Sequence, residues 1–273
     1  MSDNTAVQLS ISNHIADVCF GNPEKRNALG EGFWPDLIGV FEEIDQSSDV
    51  RVVILRSEGK VFSAGIDVKF LEKLIHFPDL DQARAMEKFR RNIMGLQHTI
   101  NLVENCRLPV IALVQGGCLG AGMDLVAACD IIYATKEAYF TIQEVNIGVA
   151  ADLGSLQRLP RRLPYGLLRE LAFTGRPLPA EEALSCGFVT SVHEDYDAAL
   201  SHAQQNAAEI AAKSPLAILG TKQAFLFDQG DMIGKGLDYI ATWNAGLFST
   251  VDTKNSIEAV MQKKKPKYTG LHD

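Results

Sequence analysis

Apolar and polar positions alternate with period two at the start of the chain, where "VQLSISNHIADVCF" predicts two short strands. The turn-rich "NPEKRNALG" follows. The period then becomes helical: Phe33, Leu37, Val40, Phe41 and Ile44 fall on one face of "EGFWPDLIGVFEEIDQ", with Pro35 suited to a first turn. "RVVILRSEG" predicts a buried strand, residues 67 to 76 a helix, and residues 82 to 105 a longer amphipathic helix. "VIALVQGG" predicts another buried strand that runs into the apolar helix of "CLGAGMDLVAACD", and "IIYATKEAYFTI" is strand material again. From Gly154 onward the pattern is helical, broken by the short strand "FVTSVH". Strands alternating with helices and then helices alone predict an α/β core followed by a helical C-terminal region.

Two stretches share an unusual design. "VFSAGIDVKFL" and "GGCLGAGMDL" each join a strand to a helix through small residues. Such a junction leaves backbone N–H groups without intrahelical partners, and the helix dipole reinforces them. Two junctions facing each other would form an oxyanion hole; tight packing turns are the alternative that the pattern alone leaves open. The glycines at 117, 120 and 122 do not have the G-x-G-x-x-G spacing of a dinucleotide site, and a Walker-type G-K-[ST] is absent.

Composition narrows the partners. The 273 residues are 47% hydrophobic and 22% charged, with a net charge of −8, and the pI is about 5.3. This balance argues against nucleic acid as a partner, and no apolar run is long enough for a membrane span. Five scattered cysteines with no C-x-x-C pair read as reduced thiols rather than a disulfide framework or a metal site. With no signal-peptide pattern in "MSDNTAVQLS" and no peroxisomal address in "GLHD", the expected location is cytoplasmic. The sole basic cluster is "QKKKPKY" near the end. No G-x-S-x-G motif is present, and none of the six histidines has a recognisable nucleophile context.

The turns "FSAGID" and "GAGMDLVAACDI", with "NPEKRNAL", "EVNIGVAADLGSLQRLPR", "ELAFTGRPLPAEEAL" and "GFVTSV", resemble the crotonase, or enoyl-CoA hydratase/isomerase, superfamily across most of residues 10 to 195. The resemblance implies a spiral of β-β-α repeats over residues 1–195 and a helical trimerisation region over 196–273, assembling as a homotrimer or homohexamer. It implies an acyl-CoA substrate, no further cofactor and no metal. The N–H groups of Ile66 and Ala121 would hold the thioester oxygen; many relatives have Gly at the second position. Lys25, Arg26, Ala28, Ala64, Gly65, Asp67 and Gly120 are the corresponding candidates for binding CoA and substrate, with Asp67 also an acid in the first turn of its helix. Lys263 or Lys265 of the tail would reach a neighbouring subunit's ligand.

Three acids decide the reaction. Asp124 lies in an apolar helix and needs a partner or a function. Glu144 follows strand-like "AYFTIQ" and reads equally as a solvated loop carboxylate. Asp152 follows the apolar run from Ile147 to Ala151. It is either the N-cap of a helix starting at Leu153 or a desolvated carboxyl suited to proton transfer. Hydratases of the superfamily hold a water between two Glu at the positions of Asp124 and Glu144 and usually lack the third acid. The Asp-Glu-Asp set is similar to the Δ3,5-Δ2,4-dienoyl-CoA isomerase group, which places Glu144 near C2 and Asp152 near C6, with Asp124 in support. A broad 2-enoyl-CoA hydratase is the nearest alternative, and an RNA-binding relative is disfavoured by the acidic chain.

Overall fold

A computed structural model describes residues 6–229, 232–248, 250–266 and 268. The chain opens with strands β1 (Val7–Ser12) and β2 (Ile15–Phe20), then helix α1 (Phe33–Gln46), β3 (Val52–Ser57), α2 (Val68–Ile75) and α3 (Gln82–Asn105). Next come β4 (Val110–Val114), β5 (Gly117–Leu119), α4 (Ala121–Ala127), β6 (Ile131–Thr135) and β7 (Tyr139–Thr141). A 3-10 turn (Glu144–Ile147) leads to α5 (Ser155–Arg158), α6 (Tyr165–Thr174), β8 (Leu178–Pro179), α7 (Ala180–Ser185) and β9 (Ser191–His193). The chain ends in α8 (Tyr196–Ala211), α9 (Pro215–Gln229), α10 (Met232–Leu247) and α11 (Thr250–Met261). The expected elements are present; β5, which breaks from the end of the expected "VIALVQGG" strand to join a second sheet, and the two-residue β8 are additions, both too short for their period to register.

One sheet runs in the order β1-β2-β3-β4-β6-β9, and a smaller one in the order β5-β7-β8. The β1–β2 pair is antiparallel, with Val7 opposite Phe20. From β2 to β9 the large sheet is parallel, with Ile15 opposite Val52 and Ile111 opposite Ile131. Its central strands are covered on both faces, which is why β4 and the first four residues of β3 read as unbroken apolar runs. Val53, Leu55, Val110, Ala112 and Val114 face a large core shared with α1, α3 and α4. Their neighbours Val52, Ile54, Ile111 and Leu113 face the other way, onto α8. There Ala199, Ala203, Ala207 and Ala211 recur every fourth residue, and this stripe of small side chains lets α8 lie close against the sheet. Helix α8 thus belongs to the sheet's packing, and α10 lies along α3.

Candidate active site

The two small-residue turns meet because the strands leading into them are stitched together. Ser63 N–H donates to the Gly117 carbonyl at 3.0 Å, and Leu119 N–H donates to the Ser63 carbonyl at 3.0 Å. Gly65 has φ +89°, and a Cβ there would lie 3.0 Å from the Leu119 carbonyl oxygen and 3.8 Å from the Ala121 nitrogen. The approach leaves room for glycine alone. Around this junction the amides of Gly65, Asp67 and Gly120 all find acceptors: Ser63 Oγ at 3.1 Å, and the carbonyls of Leu29 at 3.1 Å and Thr141 at 3.0 Å. Ile66 and Ala121, the two residues singled out by sequence, donate to no acceptor among the described residues. Both line one cavity of about 710 Å³. Asp67 is the N-cap of α2 rather than a residue of its first turn; its carboxylate accepts from Phe70 N–H at 3.0 Å.

The loop at residues 22–30 is tied to the first turn through Asn27. Its side chain donates to the carbonyls of Glu58 (2.6 Å) and Val61 (2.8 Å), its backbone carbonyl accepts from Ser63 Oγ at 2.8 Å, and the Arg26 carbonyl accepts from Ala64 N–H. The candidate binding residues divide between two hollows. Arg26, Ala64, Gly65 and Gly120 line the large cavity with Lys69, whereas Lys25, Ala28 and Asp67 line a smaller one of about 230 Å³ on the other side of the loop. Lys263 and Lys265 are exposed. Neither lines the large cavity, which Ile257, Val260 and Met261 of α11 wall instead.

Glu144 and Asp152 face the large cavity, and Asp124 lies behind it. Gly120, with φ +51°, brings Glu144 against the second turn: a Cβ on residue 120 would be 3.1 Å from Glu144 Oε1. Glu144 Oε2 is buried without a hydrogen-bond partner among the described residues. Burial first, then the charge of Asp124, pushes the Glu144 carboxyl well above the ordinary carboxylate range. It is not a solvated loop carboxylate. Asp152 caps no helix, since α5 begins at Ser155 after Gly154. Its Oδ2 instead accepts from Asn244 Nδ2 at 2.7 Å, and its backbone carbonyl accepts from Gln97 Nε2 at 2.7 Å. Burial pushes the Asp152 carboxyl up to about 7, against the opposing effect of the Asn244 hydrogen bond. Asp124 Oδ1 accepts from Ser155 N–H at 2.5 Å and Ser155 Oγ at 2.6 Å. Burial raises its pKa; the two bonds from Ser155 and the charge of Arg158 oppose that rise.

Asn244, Gln97 and Ser155 escaped the sequence reading. Each is buried, and the signal available was a polar residue among apolar neighbours, as in "YIATWNAGLF". Helical spacing alone does not say that Asn244 meets a residue 92 positions earlier in the chain. Ile66, Ala121, Glu144 and Asp152 line one cavity, with the amides of Ile66 and Ala121 unpartnered among the described residues, Glu144 against the Gly120–Ala121 turn, and the second carboxyl, Asp152, on a wall braced by α3 and α10. It can stabilise a developing oxyanion and move protons at two places along one ligand.

Comparison with known proteins agrees with this geometry. The family model described as enoyl-CoA hydratase/isomerase matches residues 10–271. The chain is 40% identical over 260 residues to the mitochondrial Delta(3,5)-Delta(2,4)-dienoyl-CoA isomerase of Mus musculus, covering 94% of this chain and 80% of that one. It is 36% identical over 267 residues to the peroxisomal enzyme of the same name from Arabidopsis thaliana, covering 97% and 96%. An enoyl-CoA hydratase/isomerase from Pseudoalteromonas atlantica T6c shares the fold, with a TM-score of 0.83 at 23% identity over 97% of this chain and 100% of that one. With the family model spanning nearly its whole length, this chain belongs to the enoyl-CoA hydratase/isomerase family.

Proposed function

We propose that the protein isomerises a 3,5-dienoyl-CoA to the 2,4-dienoyl-CoA. The observation that carries this reading is the second enclosed carboxyl: Asp152 faces the same cavity as Glu144, in a chain 40% identical to a dienoyl-CoA isomerase. Removing a proton from C2 gives a dienolate whose charge spreads over the thioester oxygen, C2, C4 and C6. Ile66 and Ala121 N–H hold that oxygen; one such preorganised donor contributes about 3 kcal/mol to the transition state. Glu144, beside the Gly120–Ala121 turn, reaches the carbon next to the carbonyl and in its ionised form takes the C2 proton; the raised pKa makes that form the stronger base. Asp152 gives a proton to C6, which moves the double bonds into conjugation with the thioester. The two carboxyls end with their protons exchanged and are reset before the next turnover. No cofactor enters this scheme.

Arg26 and Lys69 are the cations that line the large cavity, and we assign them to the phosphate side of CoA. Asp124, fixed by Ser155, supports the pair through its charge. The outward apolar faces of the last helices support assembly into trimers or double trimers, and five unpaired cysteines support a reducing, cytoplasmic setting. The test is an ultraviolet assay with a 3,5-dienoyl-CoA beside a 2-enoyl-CoA. The expected result is rapid growth of the conjugated chromophore with the diene and slow or no hydration, with Asp152→Asn inactive on the diene. Efficient hydration with an inert diene would replace this reading with a hydratase.

A further inference from the structure

The bond between Asn244 and Asp152 does more than brace a wall. Asn244 Nδ2 lies 2.9 Å from the Ala150 carbonyl oxygen and 2.7 Å from Asp152 Oδ2. A backbone carbonyl can only accept, so the nitrogen of the Asn244 amide must be the atom facing both, and both of its protons are committed. Asp152 Oδ2 therefore accepts a bond that protonation of that same oxygen would weaken. A proton on Asp152 is favoured on Oδ1. Gln97 fixes the backbone from the other side: its Nε2 donates to the Asp152 carbonyl at 2.7 Å and to the Leu237 carbonyl at 3.0 Å. The Asp152 backbone is thus fixed from α3 and its carboxyl from α10.

We propose that Asn244 is a positioning residue for the isomerisation: by occupying Asp152 Oδ2 it confines the transferable proton to Oδ1, the oxygen left to meet C6 of the acyl chain. This rests on the reading of Asp152 as the acid of the reaction. The ionisable groups that act on the pair are Asp124 on α4 and Glu144 in the 3-10 turn, while α3 and α10 place the neutral amides of Gln97 and Asn244 against it. The Asn244 bond favours the ionised form of Asp152. Its loss therefore leaves Asp152 protonated to higher pH, even as the proton loses its fixed place.

The experiment is the pH dependence of kcat and KM for diene isomerisation in Asn244→Leu, which removes the donor at similar volume, and in Asn244→Ser, which keeps one hydroxyl donor. The expected result for the Leu variant is a fall in kcat of about tenfold to a hundredfold, less than the roughly 10²- to 10⁴-fold that a general acid contributes in full, with KM within about twofold and the alkaline limb of the kcat profile moved to higher pH. The Ser variant should lie between the Leu variant and the parent. A kcat within about twofold of the parent and an unmoved alkaline limb would overturn the proposal; if the Leu variant does not fold, the Ser variant decides on the same criteria. Full isomerisation by Asp152→Asn is a different result, which would remove the reading of Asp152 itself.

Discussion

Asp152 holds its proton because protein surrounds its carboxyl, and that has a thermodynamic consequence. Its folded-state pKa is about 7 against an ordinary 3.8, so between those values the folded chain binds more protons than the unfolded one. Stability from this group therefore falls as pH rises through that window and stays reduced above it. Each unit of displacement corresponds to about 1.4 kcal/mol. Asp152→Asn should raise Tm over the parent at about pH 8 by several degrees, with the gap closing towards pH 4; equal Tm values at both ends would show that the carboxyl is not held in a desolvated site. The same variant should isomerise no diene, so stability and activity move in opposite directions at one residue. The apolar run before Asp152 gave sequence-level warning of its desolvation. Its hydrogen-bond partner Asn244 lies far along the chain and had no local signal.

At the junction between β5 and α4, Gly120 decides where a carboxyl lies. With φ +51° and ψ −119° it occupies backbone space that side chains resist, at roughly 1 to 3 kcal/mol for a non-glycine residue. The space a Cβ would need is bounded by Glu144 Oε1. Gly120→Ala should retain the fold by circular dichroism while lowering kcat at least about tenfold; unchanged kinetics would separate Glu144 from the reaction. Elements were legible where their period was long or their burial two-sided: α3 fills the expected residues 82 to 105, and β4 is an unbroken apolar run. The strand-to-helix turns were legible as small residues. Their meeting was not, because the hydrogen bonds between Ser63, Gly117 and Leu119 join segments far apart in sequence. The expected helix start at Leu153 gave way to one at Ser155, whose N–H and hydroxyl both serve Asp124.

For the whole molecule, the outward side of the last helices is the prominent surface. Phe225 and Phe227 on α9 are 67% and 88% exposed, and Tyr239 and Trp243 on α10 are 64% and 47% exposed. A surface of this kind marks an interaction site. Light scattering should give a mass three or six times the 29.8 kDa of one chain, and Phe227→Lys should lower it; a parent of single-chain mass would sink the assembly reading. Helix α10 turns this apolar side outward while its opposite side brings Asn244 to Asp152, and α11 closes the cavity with Ile257, Val260 and Met261. Translation runs from the N-terminus, so both amide turns and all three acids leave the ribosome before either of these helices does. A nascent chain thus carries its full set of reactive groups before the helices that brace Asp152 and wall the cavity have been made.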